Sequence, residues 1–234
     1  MVTNKHTIPI IGLMLLASLG QAGCTRVEMH FNAYQSHRLP FPEPTAETTI
    51  AVVTGTEAEE PFLKSEVADK IARLLRRHGY RLVDQDSAQY LLSAWFGMDS
   101  GQTYSGIIPV YEPGEVVSTR IRTSEGRWKS VTTHLPGYTY YMPYSYTVFP
   151  KYLSLTLYDR DRMKDDSDEV HTEAIVWRCT NVNADESTDL RWRLNHLLVV
   201  CFDYLGRDTK KQRKITLFDN DDRVKALTET PLRN

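Results

Sequence analysis

An excess of charge of either sign is the first thing this chain lacks. Across 234 residues, 28 Lys and Arg stand against 30 Asp and Glu, a formal net charge of −2. A dedicated nucleic-acid binder needs a basic field to neutralise phosphates, so no nucleic-acid partner is expected. Cysteine is scarce, at three residues, and neither a C-x-x-C pair nor an H-E-x-x-H run occurs, which removes the common zinc sites. The histidines are scattered, with no pair at ligand spacing. There is no G-x-S-x-G elbow and no glycine-rich phosphate loop. The expectation is a chain with no catalytic residues, no metal and no cofactor, hence not an enzyme. What remains is an ordinary globular composition, 41% apolar and 25% charged, with enough length to bury a core.

The one long apolar run is at the N-terminus. Residues 1–24 read MVTNKHTIPIIGLMLLASLGQAGC, with Lys5 ahead of a stretch from Ile8 to Leu19. That stretch is too short to cross the ~30 Å of a bilayer's hydrocarbon and reads as a signal peptide. Its end, Gln21-Ala22-Gly23-Cys24, resembles a bacterial lipobox in which Gln21 stands in place of the usual leucine. The resemblance implies removal of residues 1–23 and acylation of Cys24, palmitate-type chains included. With Thr25 rather than aspartate following, it also implies sorting to the outer membrane. Several acyl chains on one cysteine anchor firmly, because each buried methylene contributes about 0.8 kcal/mol.

Beyond the anchor, residues 24–47 read as a tether. Val27, Met29 and Phe31 alternate with polar residues, as a short strand does, and Pro40, Pro42 and Pro44 favour an extended, semi-rigid spacer. Residues 48–220 read as one α+β domain with an insert over about 100–150, and 221–234 as a charged tail. The apolar run from Thr49 to Thr54 reads as a buried strand. A helix starts at Pro61, presents Leu63, Val67, Ile71, Leu74 and Leu75 on one face, and stops at Gly79. Strands follow at 80–84 and 90–98. The glycines and prolines of 100–114 and the segment PGYTYYMPYSYTVFP at 135–150 read as loops. Between them a hairpin turns around Ser124-Glu125-Gly126. Tyr152–Tyr158 and the segment around Ile175–Trp177 are further strands. A second helix, capped by Ser187 or Thr188, buries Leu190, Leu194, Leu197, Leu198, Cys201 and Leu205, and a last strand spans Lys214–Phe218. This order predicts a mostly antiparallel sheet with two amphipathic helices packed on one face and a long Tyr-rich hairpin or loop insert.

Two segments carry a family resemblance. HGYRLVDQDSAQYLLSAWFG (78–97) and IVWRCTNVNADESTDLRWRLNHLLVVCFDYLG (175–206), set behind a lipobox cysteine, are similar to the bacterial lipoprotein family called domain of unknown function 4136. The resemblance covers residues 50–206 in outline: a helix ending in a Gly-Tyr step, a following strand, a tyrosine-rich insert, a Trp-bearing strand and a leucine-rich final helix. It implies an outer-membrane lipoprotein facing the periplasm and assigns no activity.

The candidate contact residues are the tyrosines of the insert: Tyr138, Tyr140, Tyr141, Tyr144 and Tyr146, with Tyr104 and Tyr111 from the other loop. Such rings give rigid contact area with a polar tip. They either form a partner-binding surface or order a long loop. Cys179 and Cys201 are a candidate disulfide in an oxidising compartment. Against the bond, Cys201 lies about 20 Å down its helix, in an apolar stripe where a free thiol packs well. The aspartates at 159–168 and 219–222 lack the spacing of a calcium loop and read as solvated turns. Lys210, Lys211, Arg213 and Lys214 read as a solvated edge strand. The expected function is that of a non-enzymatic module, held on the membrane by lipid at Cys24, whose tyrosines contact another envelope protein. The alternative is a binding protein for an envelope glycan or lipid.

Overall fold

A computed structural model of the chain describes residues 25–56, 60–163 and 172–228. The expected signal peptide, Cys24, Asp165, Asp166, Asp168 and the tail beyond Thr228 lie outside the described residues. The fold is mixed α+β and mostly sheet. Its elements are β1 (Arg26–Gln35), β2 (Thr49–Thr56), α1 (Pro61–Arg77), β3 (Arg81–Leu82), β4 (Tyr90–Met98), β5 (Gln102–Glu112), β6 (Val116–Arg122), β7 (Trp128–His134), β8 (Tyr138–Asp159), β9 (Ile175–Asp185), α2 (Leu190–Asp203), β10 (Arg213–Phe218) and α3 (Asp222–Thr228).

The chain divides into two compact units. One lies within Met1–Gly97, Lys151–Asn183 and Asp189–Asn234; the other comprises Met98–Pro150 and Ala184–Thr188. The first unit contains a sheet of strand order β10-β1-β9-β8-β4-β2-β3. β1 is antiparallel to both β10 and β9, whereas β2 is parallel to both β3 and β4. The sheet is therefore mixed, not simply antiparallel. The parallel part exists because α1 carries the chain back between β2 and β3, as a parallel connection requires.

Within residues 25–47 the chain is built into the fold. β1 alternates between exposed and buried positions, and Val27, Met29, Phe31 and Ala33 are all enclosed. Leu39 is also buried, and the carbonyl of Pro42 accepts a hydrogen bond from the Tyr80 hydroxyl at 2.8 Å. A strand with a complete apolar face gains far more by joining a sheet than by standing in solvent.

α1 begins at Pro61 and buries Leu63, Val67, Ile71, Leu74 and Leu75. It ends in a Schellman arrangement: Gly79 takes φ +87°, and the Tyr80 N–H donates to the Leu75 carbonyl at 3.1 Å. α2 is capped by Asp189, not by Ser187 or Thr188, and Asp189 Oδ1 accepts from the Trp192 N–H at 2.9 Å. It is buried almost all round, from Arg193 to Phe202. One core cluster joins these helices to Leu92, Ala94 and Phe96 of β4, Leu153, Leu155 and Leu157 of β8, and Val176, Trp177 and Cys179 of β9. α3 adds Val224 and Leu227, so part of the expected tail is a packed helix.

Candidate functional site

The second unit holds every candidate tyrosine. The segments 100–114 and 135–150 are not loops. β5 and the first part of β8 pair antiparallel from Gln102 opposite Val148 to Glu112 opposite Tyr138. Pro109 and Pro143 sit inside these strands. A two-stranded ribbon tolerates them because each strand has a free edge where the missing N–H breaks no ladder bond.

Register then sorts the tyrosines. Side chains alternate along a strand, so Tyr138, Tyr140, Met142, Tyr144 and Tyr146 share one face of β8. Their partners on β5 are Glu112, Val110, Ile108, Gly106 and Tyr104. Tyr141 and Tyr111 lie on the opposite face, with Tyr141 paired to Pro109 and Tyr111 to Thr139. The first face is an aromatic ladder. Tyr104 and Tyr146 stack at 5.5 Å between centroids with planes 20° apart, and Tyr144 and Tyr146 stack at 6.1 Å and 11°. Gly106 makes room for the Tyr144 ring, since a Cβ there would come within 2.6 Å of its hydroxyl. At the far end Tyr138 donates to Glu112 Oε2 at 2.6 Å. That hydrogen bond to a carboxylate holds the Tyr138 phenol above its ordinary pKa.

The ladder is exposed along its length, at 41–58% for Tyr104, Tyr138, Tyr140, Tyr144 and Tyr146. Sequence reasoning missed Ile108, Val110 and Met142 as members of this face. The signal was present in the every-other-residue spacing of 138, 140, 144 and 146, which is a strand period.

The remaining candidates lie in the first unit. Cys179 and Cys201 are free thiols, both fully buried and brought into contact. The acidic crowding is taken up by ion pairs. Asp219 lies 2.9 Å from Arg193 and 3.2 Å from His196, Asp221 pairs with Arg223 at 2.8 Å, and Asp159 lies 3.7 Å from Arg162. Among the described residues no group of three or more His, Cys, Asp or Glu side chains is placed to hold a metal ion. Nor is any described helix long and apolar enough to cross a membrane.

A cavity of about 300 Å³ is lined by Glu66 and Lys70 of α1, Asp189, Arg191, Trp192 and Asn195 at the start of α2, and Thr228 of α3. Its charges are already matched, since Glu66 accepts from Lys70 at 2.6 Å and from Arg191 at 2.7 Å. Burial pushes the Lys70 ammonium down, with Glu66 opposing. Burial raises the Glu66 carboxyl, but Lys70 and Arg191 together outweigh it and hold the group below its ordinary value.

No family model matches this chain, and no curated protein matches it. Solved structures offer distant likenesses. A PDZ domain protein from Parabacteroides distasonis is 12% identical at a TM-score of 0.35 over 82% of this chain. The match spans only 39% of the length of that protein. Two PelC dodecamer structures from Paraburkholderia phytofirmans are 14% and 13% identical, each at a TM-score of 0.37. Each covers 76% of this chain and 98% or 99% of its own. At these identities and TM-scores the likeness assigns no activity to this chain.

Proposed function

We propose that this chain is a non-enzymatic module of the bacterial cell envelope. Residues 1–23 direct export, lipid on Cys24 holds the protein on the outer membrane, and the folded part faces the periplasm. Within the first unit, α1 and α2 pack on the same face of the sheet. The second unit supplies the contact surface for another envelope protein. The observation that carries the reading is the sorting of five tyrosines by strand register onto one exposed ribbon face. Stacked, preordered rings lose little rotamer freedom on contact and bury large areas, as interface anchors do.

The two faces of the ribbon give the test its internal control. A photoreactive residue is placed at Tyr140, on the ladder, or at Tyr141, on the reverse face, in the full chain in native cells. One dominant protein adduct at position 140, absent at 141, supports the reading. Adducts to glycan or lipid alone transfer the role to the alternative ligand. No adduct at 140 overturns it.

A further inference from the structure

The hairpin of β6 and β7 is distinct from the tyrosine ladder, and its composition differs. Both strands are exposed at every residue, seven positions each. From Val116 to His134 it carries four cations, Arg120, Arg122, Arg127 and Lys129, against one carboxylate, Glu125. Arg127 pairs with that carboxylate. Arg120, Arg122 and Lys129 have no acidic partner among the described residues. Arg122 spends one donor on the Gly126 carbonyl, which fixes its stem beside the turn.

Apolar groups stand among these cations on both faces. Arg122 lies opposite Trp128 and Arg120 opposite Ser130 on one face. Ile121 opposite Lys129 and Thr119 opposite Val131 form the other. Trp128 is 69% exposed, and Ile121 and Val131 are also in solvent. A protein partner laid on the hairpin would cover one face and leave the other as it is. A lipid headgroup layer surrounds both. It accepts indole and aliphatic groups at the acyl boundary while guanidinium and ammonium groups reach phosphates at the same depth. The unpaired backbone edges of a two-stranded hairpin are costly in hydrocarbon, which limits entry to the headgroup zone.

We infer that the β6–β7 tip is a docking element for a membrane surface bearing anionic lipid headgroups, with Trp128 and Ile121 entering the interface and Arg120, Arg122 and Lys129 binding phosphates. The inference is independent of the ladder and of the lipid at Cys24.

The test uses the full chain on vesicles whose acyl chains are brominated near the headgroup. Whatever holds the N-terminus on the vesicle, the signal is the difference between the wild-type protein and Trp128→Phe. On mixed phosphatidylglycerol–phosphatidylcholine vesicles, the Trp128 emission is quenched, and raised salt releases it. On pure phosphatidylcholine it is not quenched. Each cation near an anionic surface is worth about five-fold in partitioning, so Arg120→Gln/Arg122→Gln/Lys129→Gln lowers the docked-to-free ratio about 100-fold. Because Arg122 also supports the turn, Arg120→Gln/Lys129→Gln is made beside it, and this pair lowers the ratio about 10-fold or more. Unquenched Trp128 on the phosphatidylglycerol vesicles overturns the inference. So does equal quenching on pure phosphatidylcholine. A Trp128 response to soluble polygalacturonate without bromolipid quenching also overturns it, in favour of an anionic polysaccharide.

Discussion

Cys201 on α2 lies against Cys179 on β9, and both side chains are completely enclosed. Burial pushes the Cys201 thiol well up, and the neighbouring thiol adds to the shift. A thiol that is neither ionised nor accessible is inert to exchange. The folded protein is therefore expected to give no reaction with an aromatic disulfide reagent at these two positions, and denaturant to release both. Thiol counting in the two conditions checks this. Cys201→Ser places a hydroxyl in the same apolar pocket and is expected to cost about 1–3 kcal/mol in a urea titration.

The Glu66–Lys70–Arg191 group gives a second prediction. The Lys70 side chain is 4% exposed and that of Glu66 27%. Glu66→Gln keeps the shape and leaves the ammonium without its counter-charge. Breaking a fully buried pair costs about 3–5 kcal/mol, and the partial exposure of Glu66 reduces this to about 2–3 kcal/mol. A lowered urea midpoint at unchanged slope is the expected readout.

A third concerns acid. Burial, with Arg193 assisting, lowers His196 below its ordinary value of 6.5, while Asp219, the Trp192 carbonyl and Asp221 oppose. The folded protein thus binds fewer protons at this site than the unfolded chain. Stability rises with pH across the window between the folded value and 6.5, and falls as pH drops through it. His196→Gln is expected to flatten that fall. Urea unfolding from about pH 7.5 to about pH 5.5 compares the two slopes.

A fourth isolates the end of the ladder. Tyr138 is held high by its hydrogen bond to Glu112. Glu112→Gln removes the neighbouring negative charge and is expected to bring the Tyr138 titration down towards that of an ordinary tyrosine. Ultraviolet difference titration of the two proteins, with Tyr138→Phe as the assignment, reads the shift.

The parts of this fold that sequence reveals are those set by local chemistry. Pro61, the apolar face of α1 and Gly79 mark both ends of that helix, and Gly126, at φ +78°, marks the hairpin turn. What it conceals depends on distant partners. The alternation of Val27, Met29 and Phe31 was visible, yet nothing nearby says that β9 and β10 flank it. The prolines of the insert read as breakers because sequence does not reveal that the ribbon has free edges. Ser187, Thr188 and Asp189 are all good caps, and only the bond to Trp192 selects the third. The separation expected of the two cysteines failed because β9 runs on to Asp185. Six residues of strand beyond Cys179 span about 20 Å, close to the helical rise of about 16 Å from Leu190 to Cys201. Helix and strand cancel, and the thiols meet.

The pairing of β1 with β10 also governs when this protein can finish folding. Arg26 lies opposite Phe218, so the first described strand waits for almost the last. A ribosome releases Val27, Met29, Phe31 and Ala33 long before either neighbouring strand exists, and their apolar face stays open throughout synthesis. Closing so long a loop is entropically slow, and topologies dominated by such pairings fold late. The apolar face of β1 thus stays open until synthesis is nearly complete, and whatever guards it in that interval must shield a strand that later becomes the inside of the sheet.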